Sequence, residues 1–330
     1  MTGYAFVPIP DAPHRSTSQP VYMTLDRRLP NHWFGFMNLT LYTHQPLHIG
    51  SGYKRVGNDD RAVRAAVRSR TRLAVPGSSF KGLVRARFEA MTKSCAHWAP
   101  KNGSLVSQSR PDIRHGHVSE DAKQHRLFTP CSYQNVCPAC ALFGFQAKKD
   151  AMQSRVAFED LLCPEDTHPQ LAMAEAQWGP RIHHLGPARV STNNRGDPSF
   201  ELMGFHGRKF AVGSSTRDPE ASQQTVEVIP EGTELSGRVR LFNVTDAELG
   251  GLLAATGIHP KGMLKLGGMK AQGFGQVVVT AMFDGLRDHL RRPRELDITS
   301  ARAEYERSEW HSAEAENTLF EIHRRPEVPQ

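Results

Sequence analysis

The fold of this chain is decided by the stretch Ala74-Val75-Pro76-Gly77-Ser78-Ser79-Phe80-Lys81-Gly82-Leu83-Val84-Arg85-Ala86-Arg87-Phe88-Glu89. It predicts a strand end, a turn at Pro-Gly and then a helix from about residue 79 to residue 91, with Ser78 or Ser79 as the N-cap. Free backbone N–H groups at the helix start, with Lys81 and Arg85 one turn apart beside them, favour the binding of a phosphate. From these residues alone, the alternative is an ordinary capped helix with a solvated basic face.

The composition indicates a soluble protein with a polyanionic partner. The 330 residues carry a formal net charge of +7, and 23% of them are charged. Basic residues crowd one short span: Arg55, Arg61, Arg64, Arg68, Arg70, Arg72, Lys81, Arg85 and Arg87. Such clustering fits a nucleic acid. No apolar run approaches membrane length and the N-terminus has no signal-peptide core, so we expect a cytoplasmic protein without a membrane partner.

The cysteines predict a structural zinc site. Cys131, Cys137 and Cys140 lie close together, two of them in CxxC spacing, and a cytoplasmic chain is not expected to use them in disulfides. The fourth ligand is expected to be Cys95, at the end of the predicted helix, and its rivals are His97, His115, His117 and His125. Buried or redox-active cysteines are the alternative, disfavoured because no thioredoxin-like βαβ unit surrounds the CxxC. Cys163 stands apart and is expected in the core.

The quoted stretch resembles the opening of the first helix in the RAMP superfamily of CRISPR effector proteins (repeat-associated mysterious proteins). Four further blocks follow the family's order: Leu47-His48-Ile49-Gly50, Cys137-Pro138-Ala139-Cys140-Ala141-Leu142-Phe143-Gly144, Arg155-Val156-Ala157-Phe158-Glu159-Asp160 and Leu266 to Val277. Each block is weak alone, but the ordered set is specific. The set resembles most the guide-RNA-binding backbone subunits of type III or type III-like effector complexes. Their expected partners are guide RNA, target RNA, other effector subunits and further copies of the same chain.

The order of predicted elements indicates an α+β fold. Hydrophobic periodicity predicts a strand at 34–43, a helix at 79–91, a strand at 154–161, two strands within 225–242, a helix at 246–255 and a strand at 273–283. This is a ferredoxin-like (RRM-like) β-α-β-β-α-β core over residues 34–283. We expect a zinc-bearing insertion at 92–150, a thumb-like insertion at 179–224, an irregular N-terminal arm at 1–33 and a helical C-terminal appendage at 284–330.

The loop after the first strand is the candidate for catalysis. In the RNA-cleaving members of the family, an aspartate follows the Ile-Gly strand end by a short glycine-containing loop, and Asp60 best matches it here. Asp59 is one residue early. A carboxylate beside a splayed phosphodiester could hold a divalent cation such as Mg²⁺ or help to deprotonate the ribose 2′-OH. The alternative is a solvated acidic turn among arginines.

The resemblance also assigns RNA contacts. The glycine-rich loop at Leu266–Gly275 lies against the guide-RNA backbone in the family, and the thumb-like hairpin presses between bases. The expected RNA-binding residues are Gly50, Ser78, Ser79, Lys81, Arg85, Arg189, Gly267, Gly268, Lys270, Gly273, Phe274 and Gly275. As a lone motif, the glycine-rich loop is equally compatible with a hairpin turn.

These observations predict a CRISPR backbone subunit that binds guide RNA and its duplex with target RNA, with cleavage through Asp60 left open. One alternative is a guide-RNA-processing endoribonuclease that uses His44, His48, His183 or His184. The other is a zinc-organised interaction subunit that binds no RNA. No Gly-Lys-Ser/Thr follows the glycines, so a P-loop nucleotide hydrolase is excluded.

Overall fold

The structure of the protein is a computed structural model. It describes residues 3–16, 25–57, 62–96, 104–105, 116–118, 129–146, 150–175, 186–192, 196, 198–212, 223–258 and 262–323. The chain is a mixed α+β protein in which strands predominate.

The helices are α1 (Gly77–Met91), α2 (Pro138–Phe143), α3 (Asp246–Ala255), α4 (Ile298–Arg307) and α5 (Ala313–Ile322). The strands are β1 (Tyr4–Val7), β2 (Trp33–Thr43), β3 (Gly50–Val56), β4 (Ala62–Ala66), β5 (Arg68–Ser69), β6 (Arg72–Val75), β7 (Ser104–Leu105), β8 (Gly116–Val118), β9 (Phe145–Gln146), β10 (Ala151–Met152), β11 (Val156–Phe158), β12 (Leu161–Leu162), β13 (Gln170–Glu175), β14 (Ala188–Thr192), β15 (Pro198–Leu202), β16 (Arg208–Ala211), β17 (Gln223–Val228), β18 (Glu234–Val244), β19 (Leu264–Lys265), β20 (Gln276–Met282) and β21 (Leu286–Arg287).

The largest sheet has the strand order β19-β20-β2-β18-β12-β6-β5, with β11 also paired to β18. Its central strands β20, β2 and β18 are antiparallel to one another, as are β11 and β12 to β18. The alternation predicted for β2 is confirmed, because Met37, Leu39 and Leu41 are all buried in one core cluster. Helices α1 and α3 contribute their apolar stripes to the same cluster, which therefore joins both helices to one face of the sheet.

Helix α3 has the predicted bounds. Its start is a capping box in which the Thr245 side chain accepts from the Glu248 N–H while the Glu248 carboxylate accepts from the Thr245 N–H. This reciprocal bonding satisfies two of the backbone donors that a helix start leaves free.

The predicted N-cap of α1 is wrong. The helix begins at Gly77 with Pro76 as its N-cap residue, and neither Ser78 nor Ser79 caps it. The carboxylate of Asp160 instead accepts a hydrogen bond from the Gly77 N–H at 2.9 Å. Part of the anion seat expected at this helix start is thus filled by an acidic side chain from the strand region beside it.

Strand β17 does not pair with β18, the strand that follows it in the sequence. It lies in a separate four-stranded sheet of order β13-β17-β4-β3, parallel to β4 and antiparallel to β13. Strand pairing is a long-range choice that the alternation of side chains within one strand does not encode. This second sheet positions the loop that carries Asp60, since β3 and β4 flank it.

The two insertions share a sheet. The hairpin of β14 and β15 continues through a parallel pairing of β15 with β8, and β8 pairs with β7. Strands from the predicted zinc-bearing insertion and from the predicted thumb-like insertion are therefore joined by backbone hydrogen bonds.

The terminal segments are also tied to the core. Within the arm expected to be irregular, β1 pairs with β16 in register from Tyr4–Ala211 to Val7–Arg208. At the other end, Tyr305 of α4 and Leu319 of α5 are fully buried and belong to the main core cluster. These helices are packed into the core instead of appended to its periphery.

Candidate metal centre and nucleic-acid interface

Four buried cysteine side chains come together between α1 and α2. Cys95 follows α1, Cys131 precedes α2, and the CxxC pair Cys137 and Cys140 lies at the start of α2. Their Sγ atoms all lie within 4.8 Å of one another. The CxxC spacing places its two thiols on one side of a helix start, and the long connections bring in the other two. These four cysteines could hold a metal ion.

The sulfur separations match a tetrahedral thiolate site. The Cys95 Sγ lies 3.7 Å from that of Cys131, 3.8 Å from that of Cys140 and 3.5 Å from that of Cys137. Four sulfurs at ~2.3 Å from a central zinc ion stand about 3.8 Å apart. Cys95 is thus the fourth member of the cluster. Among its rivals, residues 97, 115 and 125 and the side chain of His117 lie outside the described part of the chain.

Two arginines place positive charge next to the cysteine sulfurs, which stabilises the thiolate form. Arg15 donates from Nη1 to the Cys131 Sγ at 3.1 Å, and Arg85 donates from Nη2 to the Cys140 Sγ at 3.5 Å. In the absence of a metal, hydrogen bonding with Cys131 raises the pKa of the Cys95 thiol, and the same cause raises the pKa of Cys140. A metal must therefore displace protons from these thiols when it binds.

The predicted RNA-contacting residues of α1 divide into two groups. Arg85 pairs with Glu89 at 2.8 Å and donates to the Gly144 carbonyl, so its guanidinium is held beside the cysteine cluster. Lys81 is half-buried and has no acidic partner among the residues that the structure describes, and burial, followed by the charge of Arg85, lowers its pKa. Ser78 and Ser79 are exposed beside it.

Several arginines of the basic span seen in the sequence also form hydrogen bonds and ion pairs within the protein. The buried carboxylate of Glu227 accepts from Arg55 at 2.7 Å, from Arg68 at 3.0 Å and from the Ala66 N–H at 2.9 Å. Although burial alone would raise the pKa of Glu227, the hydrogen bonds from Arg68, Ala66 and Arg55 outweigh it and lower that pKa. Glu227 lies on β17, so this network fixes the β3–β4 hairpin to the neighbouring strand.

A cavity of about 530 Å³ lies on the four-stranded sheet beside this hairpin. Its cations are Lys54 of β3 and Arg64 of β4, which are cross-strand partners and are both exposed. The remaining lining consists of Ala62, Met173, Gln223, Gln224 and Thr225. Asp59 and Asp60 lie outside the described residues, but their loop connects β3 to β4 and Ala62 lines the cavity.

The glycine-rich loop is clamped to the segment that links β2 to β3. The Gly275 N–H donates to the Pro46 carbonyl at 2.9 Å and the Gly268 N–H donates to the His48 carbonyl at 2.9 Å. Gly267 has φ of 82°, and a Cβ there would stand 2.4 Å from the His48 oxygen. Glycine is required at this position because both the positive φ and the close approach exclude a side chain.

Two other predicted contacts in this loop, Phe274 and Lys270, are less accessible. Phe274 is buried and packs with Met269 against Val226 and Val228 of the second sheet. Lys270 lies in a single 3₁₀ turn (Lys270–Gln272), and burial lowers its pKa. Gly273, with φ of 84°, has open space around it.

The other residues singled out in the sequence are Gly50, Arg189, Cys163 and the candidate histidines. Gly50 begins β3 and is exposed, and Arg189 is an exposed residue of β14 with Glu201 at 3.8 Å. His48 is buried, and its Nδ1 lies 2.7 Å from the Glu227 carbonyl. His44 stacks edge-on against Tyr42, while His183 and His184 lie outside the described residues. Cys163 is buried apart from the cysteine cluster, as expected for a core residue.

Sequence reasoning missed three residues of these sites. Arg15 lies far from the cysteines in the chain and in a segment without periodicity. Lys54 becomes informative only when β3 is paired with β4. Glu227 is part of a regular alternating strand, and only its extreme burial distinguishes it.

The comparisons with known proteins agree with the motif order. The family model described as the RAMP superfamily matches residues 40–278 of the chain. The protein therefore belongs to the RAMP superfamily. A search of curated proteins finds no match.

Among solved structures, a chain described as "Type IV-B CRISPR Complex" is similar at 19% sequence identity with a TM-score of 0.37. The similarity covers 78% of this protein and 95% of that chain. Within the described residues, no helix is both long and apolar enough to cross a membrane.

Proposed function

We propose that the protein is a backbone subunit of a CRISPR effector complex that binds guide RNA and its duplex with target RNA. The main support for this proposal is that three motifs shared with the family meet at one sheet, the four-stranded sheet of order β13-β17-β4-β3. The glycine-rich loop packs on the strands of that sheet, the Ile-Gly strand end leads into it, and the candidate loop of Asp60 lies between two of its strands. Other effector subunits and further copies of the chain are the proposed partners.

The core is proposed to be ferredoxin-like. Numbering its four principal strands along the chain as β2, β11–β12, β18 and β20, the sheet has the spatial order fourth, first, third, second, and all neighbouring pairs are antiparallel. That order supports the split βαβ arrangement expected from the sequence. The pairing of β14 with β15 supports a thumb-like hairpin.

Zinc is the proposed metal and its proposed role is structural. Four thiolates with sulfur separations near those of a tetrahedron are the ligand set that zinc prefers in closed sites. All four cysteines are buried, so they leave no open position for a substrate. The cluster would fix α1, α2 and the segment between them.

RNA binding is proposed to depend on the cavity cations. Lys54 and Arg64 lack acidic partners among the described residues. By contrast, the nearby Arg55 and Arg68 form ion pairs with Glu227. Unmatched cations on one side of a cavity attract a phosphate backbone and give a strong dependence of affinity on salt.

The test is the binding of a fluorescent single-stranded RNA to the wild type and to Lys54→Ala with Arg64→Ala. We expect about tenfold weaker binding for every sequence and a salt slope smaller by about two. The matched control is Arg292→Ala with Arg307→Ala, which removes the same charge from two exposed arginines that do not line the cavity. Equal binding by both double variants would refute the proposed interface.

Cleavage by Asp60 is the narrower part of the proposal. In the assembled complex, Asp60→Ala should leave guide and target binding nearly unchanged and reduce cutting by at least ~100-fold, because the carboxylate acts on the transition state. Asp59→Ala is the internal control and should matter less. Cutting by Asp60→Ala at the wild-type rate with Mg²⁺ present would exclude this role, and a wild-type complex that binds target without cutting it would be a scaffold.

A further inference from the structure

Two arginines from distant parts of the chain meet the cysteine cluster. Arg15 belongs to the N-terminal arm, and Arg85 lies in the middle of α1. They approach two different cysteines, Cys131 and Cys140, each with a guanidinium N–H aimed at the Sγ atom. The cluster therefore receives one side-chain cation from each of two separate elements.

The formal charges of this arrangement balance. A divalent metal with four thiolates is a dianion, and burying a dianion without compensation is strongly unfavourable. Among the described residues, the guanidinium groups of Arg15 and Arg85 offset this charge, and the carboxylate of Glu89 beside Arg85 is in turn paired with Arg208.

Both arginines are held in place by further contacts. Arg85 pairs with Glu89, which also accepts from Arg208 of β16 at 2.9 Å, and Arg208 donates to the Cys95 carbonyl. Arg15 donates to the carbonyls of Thr129 and Asn135 on either side of Cys131. Guanidinium groups that are fixed in this way lose little entropy when they meet a thiolate.

The arm is tied to the cluster at the same point. The His14 N–H donates to the Lys93 carbonyl at 2.7 Å and the Ser16 N–H donates to the Val136 carbonyl at 3.2 Å. Lys93 and Val136 lie beside Cys95 and Cys137 in the sequence. Anything that moves the cysteine segments therefore acts on the arm.

We propose that Arg15 and Arg85 are positioning residues of the metal site, and that the bound divalent metal in turn holds residues 14–16 of the N-terminal arm on the protein. This inference rests on the metal site proposed above. Outer groups that donate to metal ligands typically change metal affinity by about 10-fold to 100-fold when they are removed. This segment of the arm, in this arrangement, is ordered by the charge of a site to which it contributes no ligand.

The first test uses full-length wild type, Arg15→Gln and Arg85→Gln, each loaded with zinc under reducing conditions. Transfer of zinc to an excess of a chromophoric chelator should be about 10-fold faster in each variant than in the wild type. Arg307→Gln, an exposed arginine at the end of α4, is the control and should release zinc at the wild-type rate. Arg15→Lys retains the charge and should recover part of the loss.

The second test separates a direct role from loop packing. With Co²⁺ in place of zinc, loss of an N–H···S bond raises the energy of the sulfur donor electrons, so the thiolate-to-cobalt charge-transfer band of Arg15→Gln should move to longer wavelength. Removing the metal from the wild type should increase hydrogen exchange at residues 14–16 and leave the amides of β20 protected.

The outcomes are distinguishable. A wild-type chain that binds neither Zn²⁺ nor Co²⁺ would refute the metal site itself. A chain that binds metal, with Arg15→Gln identical to Arg307→Gln in release rate and cobalt spectrum, would refute only the role of Arg15. Unchanged exchange of the arm after metal removal would refute the coupling.

Discussion

The cysteine cluster and the cavity beside the β3–β4 hairpin use basic side chains in opposite ways. At the cluster, Arg15 and Arg85 are matched by sulfur, carboxylate and carbonyl partners. At the cavity, Lys54 and Arg64 face solvent without an acidic partner among the described residues. The first region is electrostatically complete and its role is to hold the fold. The second is incomplete, and a surface that carries unmatched charge is suited to an external polyanion.

The largest effect is expected from a substitution in the cysteine cluster. Cys137→Ala removes one of four ligands, and we expect loss of bound metal together with a destabilisation on the order of 5 kcal/mol, because metal binding contributes directly to folding. Metal analysis and thermal unfolding measure both. The matched control is Cys163→Ala, an equally buried cysteine outside the cluster, which should keep its metal. Full metal content in Cys137→Ala would contradict the site.

The next largest effect is expected from a substitution in the Glu227 network, which supports the hairpin beside the cavity. Glu227→Gln leaves Arg55 and Arg68 without their carboxylate, and we expect a loss of about 2 to 3 kcal/mol in the free energy of unfolding, measured by denaturant titration. The wild-type pKa of Glu227 is lowered, so this contribution is present above its unfolded value of 4.5 and is lost as the pH falls below it. Glu165→Gln, an exposed acid near Arg72, should change stability little.

A third prediction tests a buried arginine that has no acidic hydrogen-bond partner among the described residues. Arg87, two residues after Arg85, is fully buried, and its Nη1 donates to the Nδ1 of His323 at 2.7 Å. Burial, followed by the charge of Arg87, lowers the pKa of His323 to about 3. Because the folded state holds His323 neutral, stability is fully present above pH ~6.5 and declines below it, by about 2 kcal/mol at pH 5.

Denaturant titrations at pH 7.5 and pH 5 check this prediction. His323→Gln should flatten the difference by the same amount, since glutamine can accept from Arg87 and does not titrate. A difference that persists unchanged in His323→Gln would assign the acid sensitivity to other groups.

The smallest expected effect separates two residues of one helix. Lys81→Ala should weaken binding of single-stranded RNA about threefold and reduce the salt slope by about one, since Lys81 has no acidic partner in the part of the chain that the structure describes. Lys93→Ala is the matched control, because Lys93 is an exposed lysine near the other end of the same helix. Arg85→Ala should instead lower metal retention. If Lys81→Ala and Lys93→Ala bind RNA equally, Lys81 is only part of a solvated face.

Most features set by neighbouring residues were predictable from the sequence, and most long-range partners were not. The strand β2, the bounds of α3 and the three clustered cysteines are properties of neighbouring residues and were predicted. Cys95, which comes from a distant segment, was also expected, because three clustered thiols leave one ligand position to fill. The occupation of the Gly77 N–H by Asp160 and the transfer of β17 to a second sheet depend on contacts between distant segments. The crowding of arginines predicted a binding surface, yet Arg55, Arg68, Arg85 and Arg87 are turned to internal partners.

The pairing of β15 with β8 restricts how this chain can be shortened. Removing either insertion would leave the remaining strands with an open hydrogen-bonding edge, and open edges template the pairing of one molecule with another. A truncated protein that lacks residues 186–202 is therefore expected to aggregate even though its cysteines and core are intact. Any shortened version that stays monomeric must lose both halves of that sheet together.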